Sequence, residues 1–174
     1  MTRMTFAMAV AASILALMQP GLAQSTPERS VTTEAFESWI LTCVETGETR
    51  ACEINQNIAD QSGRPVMQLQ VGRFNAELPE RAMLARFAVN IMTTMPIVWS
   101  AGETSIVLTL RACLDTFCAA EGRVSDDVAA ALLRTDPQAQ TRFTMTQANG
   151  ATVSIPLSLT GFADAWTMMV DQTR

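Results

Sequence analysis

The chain has 174 residues, the size of a single domain, and its formal net charge is −5. It contains no histidine, lysine or tyrosine, which removes the usual imidazole metal ligand and every lysine-based nucleophile. The acidic balance argues against nucleic acid as a partner, because binding to phosphates depends on a basic surface.

The first 23 residues have the pattern of a signal peptide. Arg3 supplies a positive charge, residues 5–18 form an uncharged apolar run, and small residues precede a cleavage position after Ala23. The run is shorter than the ~20 residues that a membrane-spanning helix needs, and no later segment is long and apolar enough to span a bilayer. We therefore expect residues 1–23 to be cleaved and the protein to be periplasmic, secreted or surface-associated.

Residues 24–35 are polar with one proline, which predicts a flexible leader ahead of a single domain over residues 36–174. The domain opens with the signal of a β-hairpin. Two segments rich in β-branched and apolar residues, 36–44 and 50–57, flank a polar reversal that contains Gly47.

Most of the remaining chain alternates apolar and polar residues with period two, which predicts strands with one buried and one solvated face. The predicted strands cover residues 66–74, 84–92, 105–111, 119–124, 140–147 and 152–159, and residues 96–99 are a short apolar piece between two of them. Asn149-Gly150 predicts a hairpin turn before the last of them. Pro156 cannot donate to a ladder, so we expect that last strand to lie at a sheet edge or to contain a bulge.

Two helices complete the predicted domain. Ser125 can cap a helix that runs to Arg134, and Asp126 and Asp127 suit its positive end, which explains this acidic pair better than catalysis or calcium binding does. Apolar residues at helical spacing predict a C-terminal amphipathic helix over 162–170. The predicted fold is mainly β (α+β): an antiparallel β-sandwich or partly open barrel of about eight strands, with these two helices.

The cysteines are Cys43, Cys52, Cys113 and Cys118, and an even count in an exported chain predicts two disulfides. We favour the local pairs, Cys43–Cys52 and Cys113–Cys118, because each pair flanks a short reversal, although loop entropy alone favours longer-range bridges. The spacings fit zinc knuckles poorly, and catalytic dithiols favour two intervening residues at a helix start. We therefore predict neither a metal site nor a redox site.

The remaining route to catalysis is a pair of carboxylates, as in glycoside cleavage. The acidic residues near predicted turns are Asp60, Glu103 and Asp115, and each is also explained as a solvated turn residue. We predict no catalytic, cofactor-binding or metal-binding residue, and hence no enzyme.

Three segments together resemble the invasion-associated locus B family of proteobacterial exported proteins. They are W-I-L-T-C…C-E-I-N-Q over 39–56, C-L-D-T-F-C over 113–118, and I-P-L-S-L-T-G-F-A-D-A over 155–165. The chain departs from the family pattern at Ser38, where an acidic residue is usual, and at Phe117, where glycine is usual. The resemblance implies a periplasmic or surface-associated protein of a Gram-negative bacterium, linked in some pathogens to host-cell entry, with no catalytic residue to carry over.

Two functions are expected from these features. The first is a non-catalytic envelope or surface accessory or binding protein, which contacts a protein or envelope component through the edge at 152–159 or the loop at 75–81. The alternative is an inhibitor of a periplasmic or host enzyme such as a cell-wall hydrolase, which is an analogy at the level of the fold.

Overall fold

The computed structural model describes residues 29–74, 80–87 and 94–173, which form ten β-strands and two α-helices. The strands are β1 (Arg29–Phe36), β2 (Trp39–Thr46), β3 (Thr49–Ala59), β4 (Pro65–Gly72), β5 (Arg81–Phe87), β6 (Ile97–Ala101), β7 (Thr104–Cys113), β8 (Cys118–Val124), β9 (Thr141–Thr146) and β10 (Thr152–Leu157). The helices are α1 (Asp126–Arg134) and α2 (Phe162–Gln172). The predicted signal peptide and residues 24–28 of the predicted leader lie outside the described residues, as do 75–79 of the predicted loop and 88–92 of a predicted strand.

The ten strands of the described residues join one antiparallel sheet in the order β1-β2-β3-β4-β5-β8-β7-β6-β9-β10. Strand β7 connects the two parts of this sheet, because its residues 104–108 pair with β6 whereas its residues 109–113 pair with β8. The sheet curls into a half-barrel with β1 and β10 as its two edges. The antiparallel, partly open barrel expected from the sequence is therefore confirmed, with ten strands in place of about eight.

The predicted flexible leader is wrong for residues 29–35, because they belong to strand β1, which pairs with β2 along its whole length. A two-residue turn joins the two strands, and Glu37 in this turn has a φ of 54°. Every side chain of β1 except that of Phe36 is exposed, so the strand lacks the apolar alternation that marks the others. Backbone pairing and the β-branched run at residues 31–33 form the strand instead.

The alternation along the other strands builds one apolar core. On β4, Met67, Leu69 and Val71 are buried as predicted, whereas Gln68 and Gln70 lie on the opposite face and are half-buried. The largest fully buried side chains come from strands and helices throughout the fold: Trp39, Ile54, Met83, Phe87, Trp99, Leu132, Phe143, Met145, Phe162 and Met169. These side chains belong to one hydrophobic cluster that the sheet and both helices share.

Helix α2 packs against β1, β2 and β3. The Phe162 ring meets the Trp39 ring edge-on with centroids 5.1 Å apart, and it lies 5.7 Å from the Trp166 ring. Helix α1 begins at the predicted cap, where the Ser125 hydroxyl accepts a hydrogen bond from Val128 N at 3.3 Å. Among the residues that the structure describes, no helix is long and apolar enough to cross a membrane.

Candidate functional site

Two of the three segments that carry the family resemblance, the first hairpin and the closing segment, meet in the structure. Trp39 Nε1 and Gln56 Nε2 both donate to the carbonyl of Ser158, at 2.9 and 3.0 Å. The Gln56 side chain also accepts from Ser158 N at 3.2 Å and donates to the Ser38 carbonyl at 3.3 Å. Gln56 is 4% exposed, so these bonds satisfy an amide that is costly to bury unpaired. These motif residues fasten the segment between β10 and α2 onto β2 and β3, which is a structural role.

Gly161 lets the chain pass from β10 into α2 against the end of β1. Its φ is +82°, a backbone conformation that favours glycine. A Cβ at this position would overlap the backbone carbonyl group of Phe36, whose carbon would lie 2.6 Å away. The glycine in the closing segment is therefore required by close packing of two backbones.

The first disulfide joins Cys43 of β2 to Cys52 of β3, which are directly opposed in the sheet, with an S–S distance of 2.07 Å. Both cysteines are buried. Gln172, the last residue of α2, places its Oε1 atom 3.2 Å from Cys43 Sγ and accepts a hydrogen bond from Arg50 Nη2 at 2.6 Å. This disulfide thus lies beneath the end of α2 and belongs to the helix-to-sheet packing.

The second disulfide joins Cys113 of β7 to Cys118 of β8 and closes a loop that we call the tip, residues 113–118. Within the tip, Leu114 N donates to the Phe117 carbonyl at 2.8 Å. Leu114 is 61% exposed and Phe117 is 37% exposed. The disulfide and this hydrogen bond restrain the backbone of the tip, so that ordering this backbone on binding would cost little conformational entropy.

A groove of about 290 Å³ lies beside the tip, at the ends of β3, β4 and β5. It combines polar and apolar side chains, and its lining residues are Asn57, Pro65, Val66, Met67, Gln68, Arg86, Phe87 and Phe117. We call this feature the groove. The sheet register explains why the tip adjoins it, because Met67, Phe87 and Cys118 lie opposite one another on β4, β5 and β8.

The polar residues of the groove form a row across three neighbouring strands. Asn57 of β3 is opposite Gln68 of β4, which is opposite Arg86 of β5. Gln68 Nε2 donates to Asn57 Oδ1 at 3.1 Å, so the two amides have a defined orientation. The row presents amide and guanidinium groups beside the exposed Phe117 ring.

The structure does not bring the three candidate carboxylates together. Asp60 lies in the β3–β4 turn and Asp115 in the tip, at one end of the antiparallel strands, whereas Glu103 lies in the β6–β7 turn at the other end. Asp60 Oδ1 accepts from the backbone nitrogens of Ser62 and Arg64 at 2.8 and 3.1 Å. Hydrogen bonds from Ser62 and Arg64 hold the pKa of Asp60 below its ordinary value of 3.8, which identifies it as a residue that stabilises its own turn.

Glu53 of β3 is a half-buried acid on the same face of the sheet as the polar row. Burial raises the pKa of Glu53 above its ordinary value of 4.5, although a hydrogen bond from Gln70 Nε2 at 2.8 Å and the charge of Arg86 oppose the shift. In the described ranges, no cluster of three or more histidine, cysteine or acidic residues is arranged to hold a metal ion.

Of the two surfaces proposed for partner binding from the sequence, the structure describes one fully, the strand at 152–159. The strand with Pro156 is β10, and it lies at a sheet edge as predicted. The loop at 75–81 lies outside the described residues except for Glu80 and Arg81. Arg81 places its guanidinium carbon 5.2 Å from the centre of the Trp166 ring, a cation–π contact that ties β5 to α2.

Sequence reasoning missed the polar row and the exposed apolar tip. Period-two alternation places Gln68 on the outer face, but a single strand does not reveal which residues of neighbouring strands stand beside it. The cysteine spacing predicts a tight turn. Because Phe117 lies within that turn, an exposed aromatic ring could have been predicted at this position.

The architecture defines a class: a curled antiparallel half-barrel with a C-terminal helix and two disulfides, each across neighbouring strands. The chain belongs to the invasion associated locus B (IalB) protein family, whose profile matches residues 39–169, and this confirms the family expected from the three motifs. The crystal structure of invasion associated protein B from Bartonella henselae has a similar fold, with a TM-score of 0.66 and 17% sequence identity. The match covers 80% of this chain and 95% of that chain. No curated protein matches this sequence.

Proposed function

We propose that the protein is exported and acts as a non-catalytic binding or accessory protein of the cell envelope or surface, and that it contacts its partner through the tip and the groove. Membership of the invasion associated locus B family supports this proposal. The two disulfides are typical of an oxidising compartment, which fits removal of the predicted signal peptide over residues 1–23 and a periplasmic or surface location.

The observation that carries the proposal is the disulfide-closed tip. Leu114 and Phe117 are held at the surface beside a mixed polar and apolar groove, and they are not needed to fill the core. Exposed apolar side chains on a restrained loop, beside hydrogen-bonding groups, are typical of contact surfaces. A non-catalytic role is supported by the lack of histidine and lysine in the sequence and by the hydrogen bonds that engage Asp60 within its own turn.

The experiment is site-specific photo-crosslinking in cells that produce the full chain. A photoreactive residue at Leu114 should form one dominant adduct with a protein or other envelope component. The matched control is the same residue at Leu133, which is 39% exposed on α1, away from the tip. Absence of an adduct from position 114, or the same adducts from both positions, would refute a contact surface at the tip.

The second candidate is inhibition of a periplasmic or host enzyme, and the same rigid exposed loop favours it, because such a loop can enter an enzyme cleft. Assays of purified oxidised protein against cell-wall hydrolases such as lysozyme, and against proteases, test this candidate. An inhibitor should lose potency on Leu114→Asp substitution, whereas Leu133→Asp should leave potency unchanged.

A further inference from the structure

We infer that the groove binds a neutral saccharide, with Asn57, Gln68 and Arg86 as the hydrogen-bonding floor and Phe117 as the surface on which a sugar ring stacks. The inference rests on the proposed function, because it names the chemistry of the envelope component that the binding protein would contact.

The floor matches the chemistry of sugar hydroxyl groups. Each hydroxyl is both a donor and an acceptor, and neighbouring hydroxyls on a ring suit planar amides and the donor fork of a guanidinium. Asn57, Gln68 and Arg86 stand on adjacent strands, which are spaced about 4.8 Å apart. Within the described part of the chain, the hydrogen bond between the two amides leaves Asn57 Nδ2 as a donor and Gln68 Oε1 as an acceptor for a ligand.

The wall of the groove suits the apolar face of a sugar ring. Phe117 is 37% exposed, so part of its ring is available for contact, and Val66 adds a half-buried apolar surface. An aromatic face packs favourably against the C–H groups of a ring whose hydroxyls point sideways to polar partners. Because the Cys113–Cys118 disulfide closes the loop, the backbone of Phe117 is restrained before a ligand arrives.

Charge and topology select this ligand class. Among the described residues that line the groove, Arg86 is the only one with an ionisable side chain, so this part of the lining holds no cluster of cations for a polyanion. The net charge of −5 further opposes polyanions. A peptide that adds a strand needs an unpaired edge, whereas β3, β4 and β5 have partners on both sides.

The experiment exposes purified oxidised protein to an array of neutral oligosaccharides that includes chitotetraose and maltotetraose, followed by calorimetric titration of the strongest binder. We expect a Kd of about 1 mM or tighter, and about tenfold weaker binding for Phe117→Ala and for Gln68→Glu. Phe74→Ala and Gln138→Glu are the matched controls, because Phe74 and Gln138 are exposed outside the groove, and both variants should bind like the wild type.

Absence of binding across the array at about 10 mM would overturn the inference. Equal weakening by the groove variants and their controls would also overturn it, with urea unfolding used to show that all variants are folded. If position 114 captures a specific protein in cells while no saccharide binds, the proposed function stands and the saccharide inference fails. If neither experiment gives a specific result, both fail.

Discussion

Replacing Gly161 with alanine tests how the closing segment is fastened to the sheet. Gly161 and Gly150 have nearly the same φ, +82° and +85°, in the range that favours glycine. They differ in their surroundings: a Cβ at Gly150 would meet no atom within 4 Å, whereas a Cβ at Gly161 would overlap the Phe36 carbonyl group. The pair therefore separates the cost of the conformation from the cost of the clash.

The expected magnitudes follow from these surroundings. Alanine in a left-handed conformation costs about 1–2 kcal/mol, and this is the whole effect expected for Gly150→Ala. At Gly161 the clash adds about 1–3 kcal/mol, as in overpacked sites, because both atoms of the Phe36 carbonyl belong to the backbone and cannot rotate away. Gly161→Ala should therefore lower the free energy of unfolding by about 2–5 kcal/mol, a large part of a typical total of about 5–15 kcal/mol.

Urea unfolding followed by tryptophan fluorescence measures both variants. Trp39, Trp99 and Trp166 are buried, so their emission should report loss of the core. Linear extrapolation gives the free energy of unfolding in water for each protein. If Gly161→Ala is no more destabilising than Gly150→Ala, the close contact between the closing segment and β1 is not present in solution and the reasoning is refuted.

Three further predictions concern buried and titrating side chains. Gln56→Leu should destabilise the fold by about 2–3 kcal/mol in the same assay, because it removes three hydrogen bonds and leaves Ser158 N without its partner. The control is Gln138→Leu at an exposed position, which should cost less than about 0.5 kcal/mol. Burial raises the pKa of Glu53 above 4.5, so the stability of the wild type should fall as the pH rises from 4.5 through the pKa of Glu53 in the folded protein. Glu53→Gln should therefore be more stabilising at about pH 7 than at about pH 4. An equal effect at both pH values would contradict this. Hydrogen bonds in its turn hold the pKa of Asp60 below 3.8, so the stability that Asp60 contributes is present above that pH and is lost as the pH falls below it. Asp60→Asn should therefore destabilise the protein at neutral pH and be as stable as the wild type in acid. A difference in stability between the two proteins that stays the same in acid would count against this.

Much of the fold is predictable from residue periodicity. Met67, Leu69 and Val71 face the core because alternate residues of a strand lie on the same face, and in β4 that face carries the apolar side chains. Pro156 correctly indicates an edge strand because it removes a ladder donor. The Ser125 cap also follows from local chemistry alone.

The features that the sequence did not reveal depend on neighbours far away in the chain. Strand β1 is almost fully exposed and is held by backbone pairing, so its side chains carry no periodic signal. The row of Asn57, Gln68 and Arg86 is created by the register of three strands. The burial of the polar Gln56 side chain is explained by its hydrogen bond to Ser158, which is far away in the sequence. Local patterns determine which face a residue occupies, but pairing determines which residues act together.

The most direct test of a binding surface at the groove and tip is chemical-shift mapping by NMR on the oxidised protein, titrated with the strongest-binding oligosaccharide of the array. The largest shift changes should cluster at Asn57, Gln68, Arg86 and Phe117, and those of Phe74 and Leu133 should not change. Largest changes at the β10 edge or around α1, or no change at any residue of the groove, would contradict it.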